Sequence, residues 1–99
     1  MPTFIMLSTL GPDGAATLRD NPERLREVNR EVEAMGVTVL HQWAVIGNYD
    51  FCNILEAPDE RVMAQVALAL SARGTMKTLT LTAIPIEDFI AAVRPPSPA

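Results

Sequence analysis

The sequence predicts an α+β domain in which one antiparallel sheet carries its helices on a single face, the ferredoxin-like arrangement. Strand-type and helix-type patterns follow one another as strand-helix-strand-strand-helix-strand. The two central strands are separated by a short glycine-containing turn and therefore form a hairpin. Two βαβ halves with right-handed crossovers give a four-stranded antiparallel sheet. At 99 residues the chain has room for one domain.

The first half of the chain is predicted to form a strand and an amphipathic helix. β-branched and aromatic residues predict a strand over Thr3–Thr9, and residues 11–18 predict one or two loose helical turns. Asn21 as N-cap and Pro22 in the first turn predict the start of the main helix. Gly36 would end it in a left-handed conformation. The apolar positions of this helix recur at helical spacing: Leu25, Val28, Val32 and Met35.

The second half begins with the predicted hairpin and continues with a helix and a fourth strand. Val37–Ile46 and Asp50–Ala57 are predicted strands that flank a turn at residues 47–49. Asp59 is expected to open the second helix, which Gly74 would end, before a strand over Thr75–Ile84.

The C-terminal segment is predicted to add two helical turns over Ile86–Val93 that dock on the domain through apolar side chains. The domain is expected to cover residues 1–93, and the Pro-rich residues 94–99 are expected to form a flexible tail. The side chains expected to dock are Phe89, Ile90 and Val93.

Composition excludes several classes of function. A net charge of −4 without a basic cluster argues against a nucleic-acid partner. No apolar run approaches the roughly 20 residues that cross a bilayer, and the N-terminus lacks the charged region of a secretory signal. With one cysteine, Cys52, and one histidine, His41, neither a disulfide framework nor a metal site within one chain is expected. These features predict a cytoplasmic protein.

The second face of the predicted sheet needs a cover, because both main helices lie on the first face. In the fourth strand Leu79 and Leu81 alternate with a row of threonines, and a strand facing water would more often carry lysine and glutamate. We expect the second face to be moderately apolar with scattered polar groups, which favours self-association. In the alternative, the C-terminal helix or tail folds under and covers it. The threonines of this row are Thr78, Thr80 and Thr82.

Five segments of the chain, taken in order, resemble the GYD domain family: Met1–Ile5, Gly47–Phe51, Glu56–Asp59, Leu68–Gly74 and Thr78–Ala83. The likeness extends to about Val93. It implies a dimeric α/β barrel, in which two ferredoxin-like sheets face each other. That group includes small monooxygenases, isomerases, haem enzymes and proteins without activity, so the resemblance implies no particular chemistry.

Three residues are candidates for catalysis, each with a structural alternative. His41 can act as a general base or ligand, or as a hydrogen-bonded structural histidine. It is also the only plausible axial ligand for a haem, and nothing else in the sequence indicates one, so no cofactor is predicted. Tyr49 and Asp50 can donate and accept protons at a binding mouth, or serve the turn itself. Cys52 is interpreted as structural.

The leading functional hypothesis is a homodimeric barrel that binds a small apolar or aromatic molecule, with catalysis left open. The alternatives are a non-catalytic interaction module with a solidly packed interface, and a monooxygenase or isomerase of the barrel type. The side chains expected to line a ligand pocket are Trp43, Asn53, Thr78, Thr80 and Thr82.

Overall fold

The computed structural model describes residues 1–96. Four strands and four helices follow one another along the chain. Their bounds are β1 (Thr3–Leu10), α1 (Pro12–Asp20), α2 (Arg24–Ala34), β2 (Thr38–Ala44), β3 (Phe51–Glu56), α3 (Glu60–Ala72), β4 (Met76–Ala83) and α4 (Ile86–Val93).

The strands form one antiparallel sheet in the order β2-β3-β1-β4. β1 lies in the middle, paired with β3 on one side and β4 on the other, so that the two βαβ halves interlock. This order and direction confirm the predicted ferredoxin-like topology. It leaves β2 and β4 as the edge strands.

The hydrophobic core lies between one face of the sheet and helices α2 and α3. Phe4 and Met6 of β1 and Leu55 of β3 are each only 2% exposed and point toward the helices. Val32 of α2 and Val66 of α3 meet them from above. The alternation of β-strand side chains then directs the odd-numbered residues of β1 to the opposite face. The other buried core residues are Val37, Ala57, Met63 and Leu70.

The start of the main helix differs from the prediction. Residues 12–20 form a complete helix with Pro12 in its first turn, and Asn21 ends that helix by donating its backbone N–H to the Thr17 carbonyl. α2 therefore begins at Arg24, after a turn, and not at Pro22. Gly14 explains how α1 fits, because a side-chain carbon there would clash with the Thr75 carbonyl at the start of β4.

The predicted helix endings are confirmed. Gly36 and Gly74, which follow α2 and α3, have φ of 97° and 73°, the left-handed region that glycine occupies without strain. Asp59 caps α3 as expected, since its carboxylate accepts a hydrogen bond from the Val62 N–H at 3.0 Å.

Both strands of the hairpin are shorter than predicted, and the first of them, β2, contains an irregularity. The β2–β3 register shifts between Val39 and His41, so that one additional residue opposes β3. Such a bulge reverses which side of the sheet the following residues face. Val39 packs toward the core, whereas His41 lies on the opposite face; the simple alternation of the sequence placed both on one face.

The prediction that α4 docks on the domain is wrong. None of its residues is buried within the described part of the chain. Phe89 is 47% and Val93 60% exposed, and α4 takes no part in the principal contacts between elements of residues 1–96. The alternative cover for the second sheet face is thus not provided by this helix. The predicted flexible tail falls partly on residues 97–99, which lie outside the described residues.

Across residues 1–96 no helix combines the length and apolarity needed to cross a lipid bilayer.

Candidate functional site

The sheet face opposite the helices carries an apolar surface. In the β1–β4 register Ile5 pairs with Leu81 and Leu7 with Leu79, so these four side chains form one cluster. Leu79 and Leu81 are 44% and 45% exposed. Both leucines belong to a regular strand, and their side chains are exposed even though the strand is paired with β1 along its whole length.

The cluster continues onto the other two strands. In the β2–β3 register His41 pairs with Ile54 and Trp43 with Cys52. The rings of His41 and Trp43 stack with centroids 5.3 Å apart and planes 4° from parallel. Trp43 is 51% exposed despite this contact. We call the whole surface the open face and define it as Ile5, Leu7, His41, Trp43, Cys52, Ile54, Leu79 and Leu81.

The threonine row lies on the helix side, contrary to the expectation that it would belong to the second face. Thr80 pairs with Met6, and Thr82 pairs with Phe4, both of which are core residues. The Thr80 hydroxyl is buried and has no hydrogen-bond partner among the described residues. The reversal makes the open face more apolar than predicted, because the leucines take the place assigned to the threonines.

Asn53 also lies on the helix side. It is 8% exposed, and its Oδ1 has no partner within residues 1–96. It lines a small, partly open cavity of about 40 Å³ together with Ser8, Gln42 and Phe51. A cavity of that size has room for a few water molecules, which could bond to the Asn53 amide.

The predicted ligand-binding residues are therefore divided between the two sides of the sheet. His41 and Trp43 share the open face. Asn53 and the threonine row lie under the helices. A single pocket cannot use both groups, because the sheet itself separates them.

Asp50 has a defined structural position. Its carboxylate Oδ2 accepts a hydrogen bond from the Leu10 N–H at 2.7 Å. Its own N–H donates to the Ser8 carbonyl, and its carbonyl accepts from the Val45 N–H. The residue thus ties the end of β1 to the β2–β3 turn. Tyr49 precedes it and is partly buried. These contacts account for Asp50 through turn chemistry, the alternative that the sequence left open.

An ion-pair network joins α2 to the end of α3. Glu31 bonds to Arg73, and to Arg24 at 3.3 Å, while Arg24 also reaches Glu27 at 2.9 Å. The hydrogen bond from Arg73, then the charge of Arg73, and after these the charge of Arg24 lower the pKa of Glu31. The pKa of Arg24 is raised, chiefly by its hydrogen bond to Glu27.

This network borders a second cavity of about 290 Å³ between α1, α2 and the start of β4. Its apolar wall includes Leu10, Leu18 and Leu25. Sequence reasoning missed the network, because Glu31 and Arg73 belong to different helices and no spacing rule connects them. Within residues 1–96 no three His, Cys, Asp or Glu side chains are grouped as metal ligands would be.

Taken together, the topology and the open face define a ferredoxin-like α+β domain with one sheet face available for contact. The GYD domain model matches residues 4–93, and the chain belongs to the GYD domain family. The family resemblance expected from the sequence is thereby confirmed.

A relative from Thermus thermophilus is 55% identical over 95 residues, which cover 95% of this chain and 100% of the relative. It is named "Glutamine synthetase and cystathionine beta-lyase binding protein".

Two solved structures share the fold at low identity. A second protein of Thermus thermophilus matches with a TM-score of 0.55 and 21% identity, over 86% of this chain and 95% of that one. A hypothetical protein from Pyrococcus horikoshii matches with a TM-score of 0.51 and 24% identity, over 86% and 92% of the two chains. These likenesses concern the fold alone.

Proposed function

We propose that this protein is a homodimeric protein-binding module whose two sheets pack through their open faces. The observation that carries the proposal is the exposure of Trp43, Leu79 and Leu81 on one face of the sheet. A continuous apolar patch of a few hundred Å² on a soluble protein is often a contact site for another molecule. Each Å² removed from water contributes about 25 cal/mol, so covering this face is favourable.

A second copy suits this face because the face has no charge at its centre. The chain carries a net charge of −4, and two copies repel each other at long range. Lys77 and Glu56, the charged residues of the sheet, stand toward the ends of β4 and β3. Two apolar centres can therefore meet without burying like charges. A two-fold symmetric contact of this kind is the commonest among homo-oligomers.

The dimer is tested by placing one charge on the open face. Leu81→Arg is expected to raise the dimer dissociation constant by at least about tenfold, because a buried unpaired charge is costly. Leu68→Arg is the matched control, since Leu68 lies on the outer side of α3 and is 71% exposed. Sedimentation equilibrium measures both. A wild-type protein that stays monomeric at about 100 µM would contradict the proposed dimer.

The partners proposed for this module are metabolic enzymes. The 55% identical relative is named for binding glutamine synthetase and cystathionine β-lyase, and it aligns over its whole length. We propose that this chain binds the same two classes of enzyme. The outer surface of the helices remains available to them when the open faces are paired.

Enzyme binding is tested with purified glutamine synthetase and cystathionine β-lyase of Thermus thermophilus. The wild-type chain, immobilised on a biosensor, is expected to bind at least one of them with a saturable response. Bovine serum albumin serves as the control analyte. Absence of saturable binding to both enzymes at about 10 µM would contradict this part of the proposal and leave the dimer unaffected.

A second candidate function is the binding of a flat apolar molecule between the two sheets. The stacked rings of His41 and Trp43 favour it, because they present an aromatic surface on the open face. Native mass spectrometry of the purified protein tests this, since a bound small molecule adds a fixed mass to the dimer. If one is found, binding and turnover that are unchanged in His41→Ala and Tyr49→Phe would count against the enzyme alternative.

A further inference from the structure

The C-terminal helix α4 has an apolar stripe that the rest of the described chain does not cover. Its apolar residues recur at the spacing of one helix face, while Glu87 and Asp88 lie off that stripe. Three of the four stripe residues are nearly half exposed or more, and the fourth, Ile90, is 39% exposed. The stripe consists of Ile86, Phe89, Ile90 and Val93.

An uncovered helix of this length is unstable in water. α4 has eight residues, whereas isolated helices shorter than about 12–15 residues are marginal even with favourable sequences. Most helical stability in proteins comes from packing of an apolar face. The helix therefore needs a covering surface to persist.

The shape of the chain indicates that the covering surface belongs to another molecule. The radius of gyration is 16.1 Å and the longest dimension 64 Å, whereas a compact chain of this length has a radius of gyration of about 13 Å. The sheet and the first three helices contact one another, whereas α4 takes no part in the principal contacts between elements of residues 1–96. In this conformation the apolar stripe of α4 is left for another molecule to cover.

We infer that α4 of each subunit packs its apolar stripe on the second subunit, as an arm that extends the interface formed by the open faces. This inference rests on the proposed dimer. α4 follows β4 after only Ile84 and Pro85, and β4 carries Leu79 and Leu81 of the open face. Ile84 is 63% and Ile86 66% exposed, so exposed apolar side chains continue from the sheet into the helix. The copy that covers the open face thereby lies next to the stripe.

The area of the open face supports the same conclusion. Four strands about 4.8 Å apart, with side chains repeating over about 20 Å, give a footprint of roughly 300–400 Å². A stable interface buries roughly 800 Å² on each partner. The flat footprint of the sheet is smaller than that, and the exposed apolar side chains of α4, which follows β4 directly, add to the apolar surface available on this side.

The experiment compares two variants of the full-length chain. Phe89→Gln/Ile90→Gln is expected to raise the dimer dissociation constant at least about tenfold in sedimentation equilibrium. Ala91→Gln, on the opposite side of the same helix, is the matched control and is expected to leave the constant unchanged. Because the stripe is unburied in the described chain, the variants should fold, which circular dichroism verifies.

Hydrogen exchange of the wild type gives a second measurement. Amides 88–93 are expected to exchange slowly at concentrations where the protein is dimeric and rapidly on dilution. A dimer whose dissociation constant is unchanged in Phe89→Gln/Ile90→Gln would overturn the inference and leave the proposed dimer standing. The inference would also be overturned if amides 88–93 exchanged rapidly in the dimer and became protected only after cystathionine β-lyase or glutamine synthetase was added. A monomeric wild type would overturn both proposals.

Discussion

Single side chains connect the β2–β3 turn to the centre of the sheet. Asp50 is the clearest case, because its carboxylate, N–H and carbonyl bond to Leu10, Ser8 and Val45. Leu10 and Ser8 belong to β1, so the turn is attached to a strand that is distant in sequence. A carboxylate that holds the end of a strand in this way stabilises the register of the sheet around it.

Replacing Asp50 is predicted to destabilise the fold. Asp50→Ala leaves the Leu10 N–H without its acceptor, and we expect the free energy of unfolding to fall by about 1–3 kcal/mol. Chemical denaturation measures the change. Asp50→Asn keeps an oxygen acceptor and is expected to cost less. Equal losses in the two variants would mean that the hydrogen bond to Leu10 is not the source of the stability.

Removing the buried Thr80 hydroxyl, unlike replacing Asp50, is predicted not to lower the free energy of unfolding. Because its Oγ1 has no partner among the described residues, Thr80→Val is expected to be neutral or to raise the free energy of unfolding by up to about 1 kcal/mol. Thr82→Val, at an exposed position of the same strand, is the control. Thermal or chemical unfolding of both variants measures this. Destabilisation by Thr80→Val alone would show that the hydroxyl has a bonding role in the folded protein.

For single residues, the sequence shows which side chains are candidates for a function, but not which groups surround them in the fold. Asp50 could be assigned either to turn chemistry or to a binding site, and only the 2.7 Å contact with a residue 40 positions away distinguishes them. The threonine row was recognisable as one side of β4. Which side the helices cover could not be deduced, since both sets of side chains suit a half-buried strand.

Among the elements, α2 and α3 are joined at one end by charge as well as by the core. Glu31 lies between Arg73 and Arg24, with side chains that are partly exposed. Such a network is screened by water, and its contribution depends on the ionisation of Glu31.

The stability of this junction is predicted to depend on pH. The pKa of Glu31 is lowered in the folded protein, first by the hydrogen bond from Arg73. The stabilisation is therefore complete above the ordinary pKa of a glutamate, about 4.3, and disappears as the pH falls through the lower folded value. We expect Glu31→Gln to be less stable than the wild type at neutral pH and equally stable in strong acid.

Thermal unfolding of Glu31→Gln across this pH range measures the effect. Glu33→Gln is the control, because Glu33 is an exposed glutamate of the same helix. A stability difference between Glu31→Gln and the wild type that does not change with pH would show that packing of the side chain, and not its charge, is responsible.

The ends of helices were predictable where the residues next to a helix end favour that end and no other structure. Asp59 before α3 and the glycines after α2 and α3 marked helix ends correctly. The bulge in β2 was not predictable, because it depends on pairing with β3 and leaves the apolar pattern of the strand unchanged. The start of α2 was wrong for a similar reason, since Asn21 suits a helix end as well as a helix start.

At the scale of the whole molecule, the chain folds one apolar surface inward and leaves another outward. The core accounts for the helix side of the sheet, and the open face together with α4 accounts for much of the remaining apolar content. The exposure of the second sheet face could be predicted from topology, because two helices on one face leave the other uncovered. The exposure of α4 could not be predicted, since the apolar spacing of this helix fits docking on its own domain equally well.

Cys52 provides a direct probe of that outward surface. It lies on β3 beside Trp43, on the open face, and is partly buried in the single chain. Pairing of the open faces covers its thiol, so its reaction with a maleimide is expected to slow as the protein concentration rises from about 0.1 to about 100 µM. In Leu81→Arg, which is expected to be monomeric, the rate should not depend on concentration, and denatured protein gives the rate of a fully accessible thiol. A wild-type labelling rate that is constant over this range, in a protein shown to dimerise by sedimentation, would place the dimer contact elsewhere on the molecule.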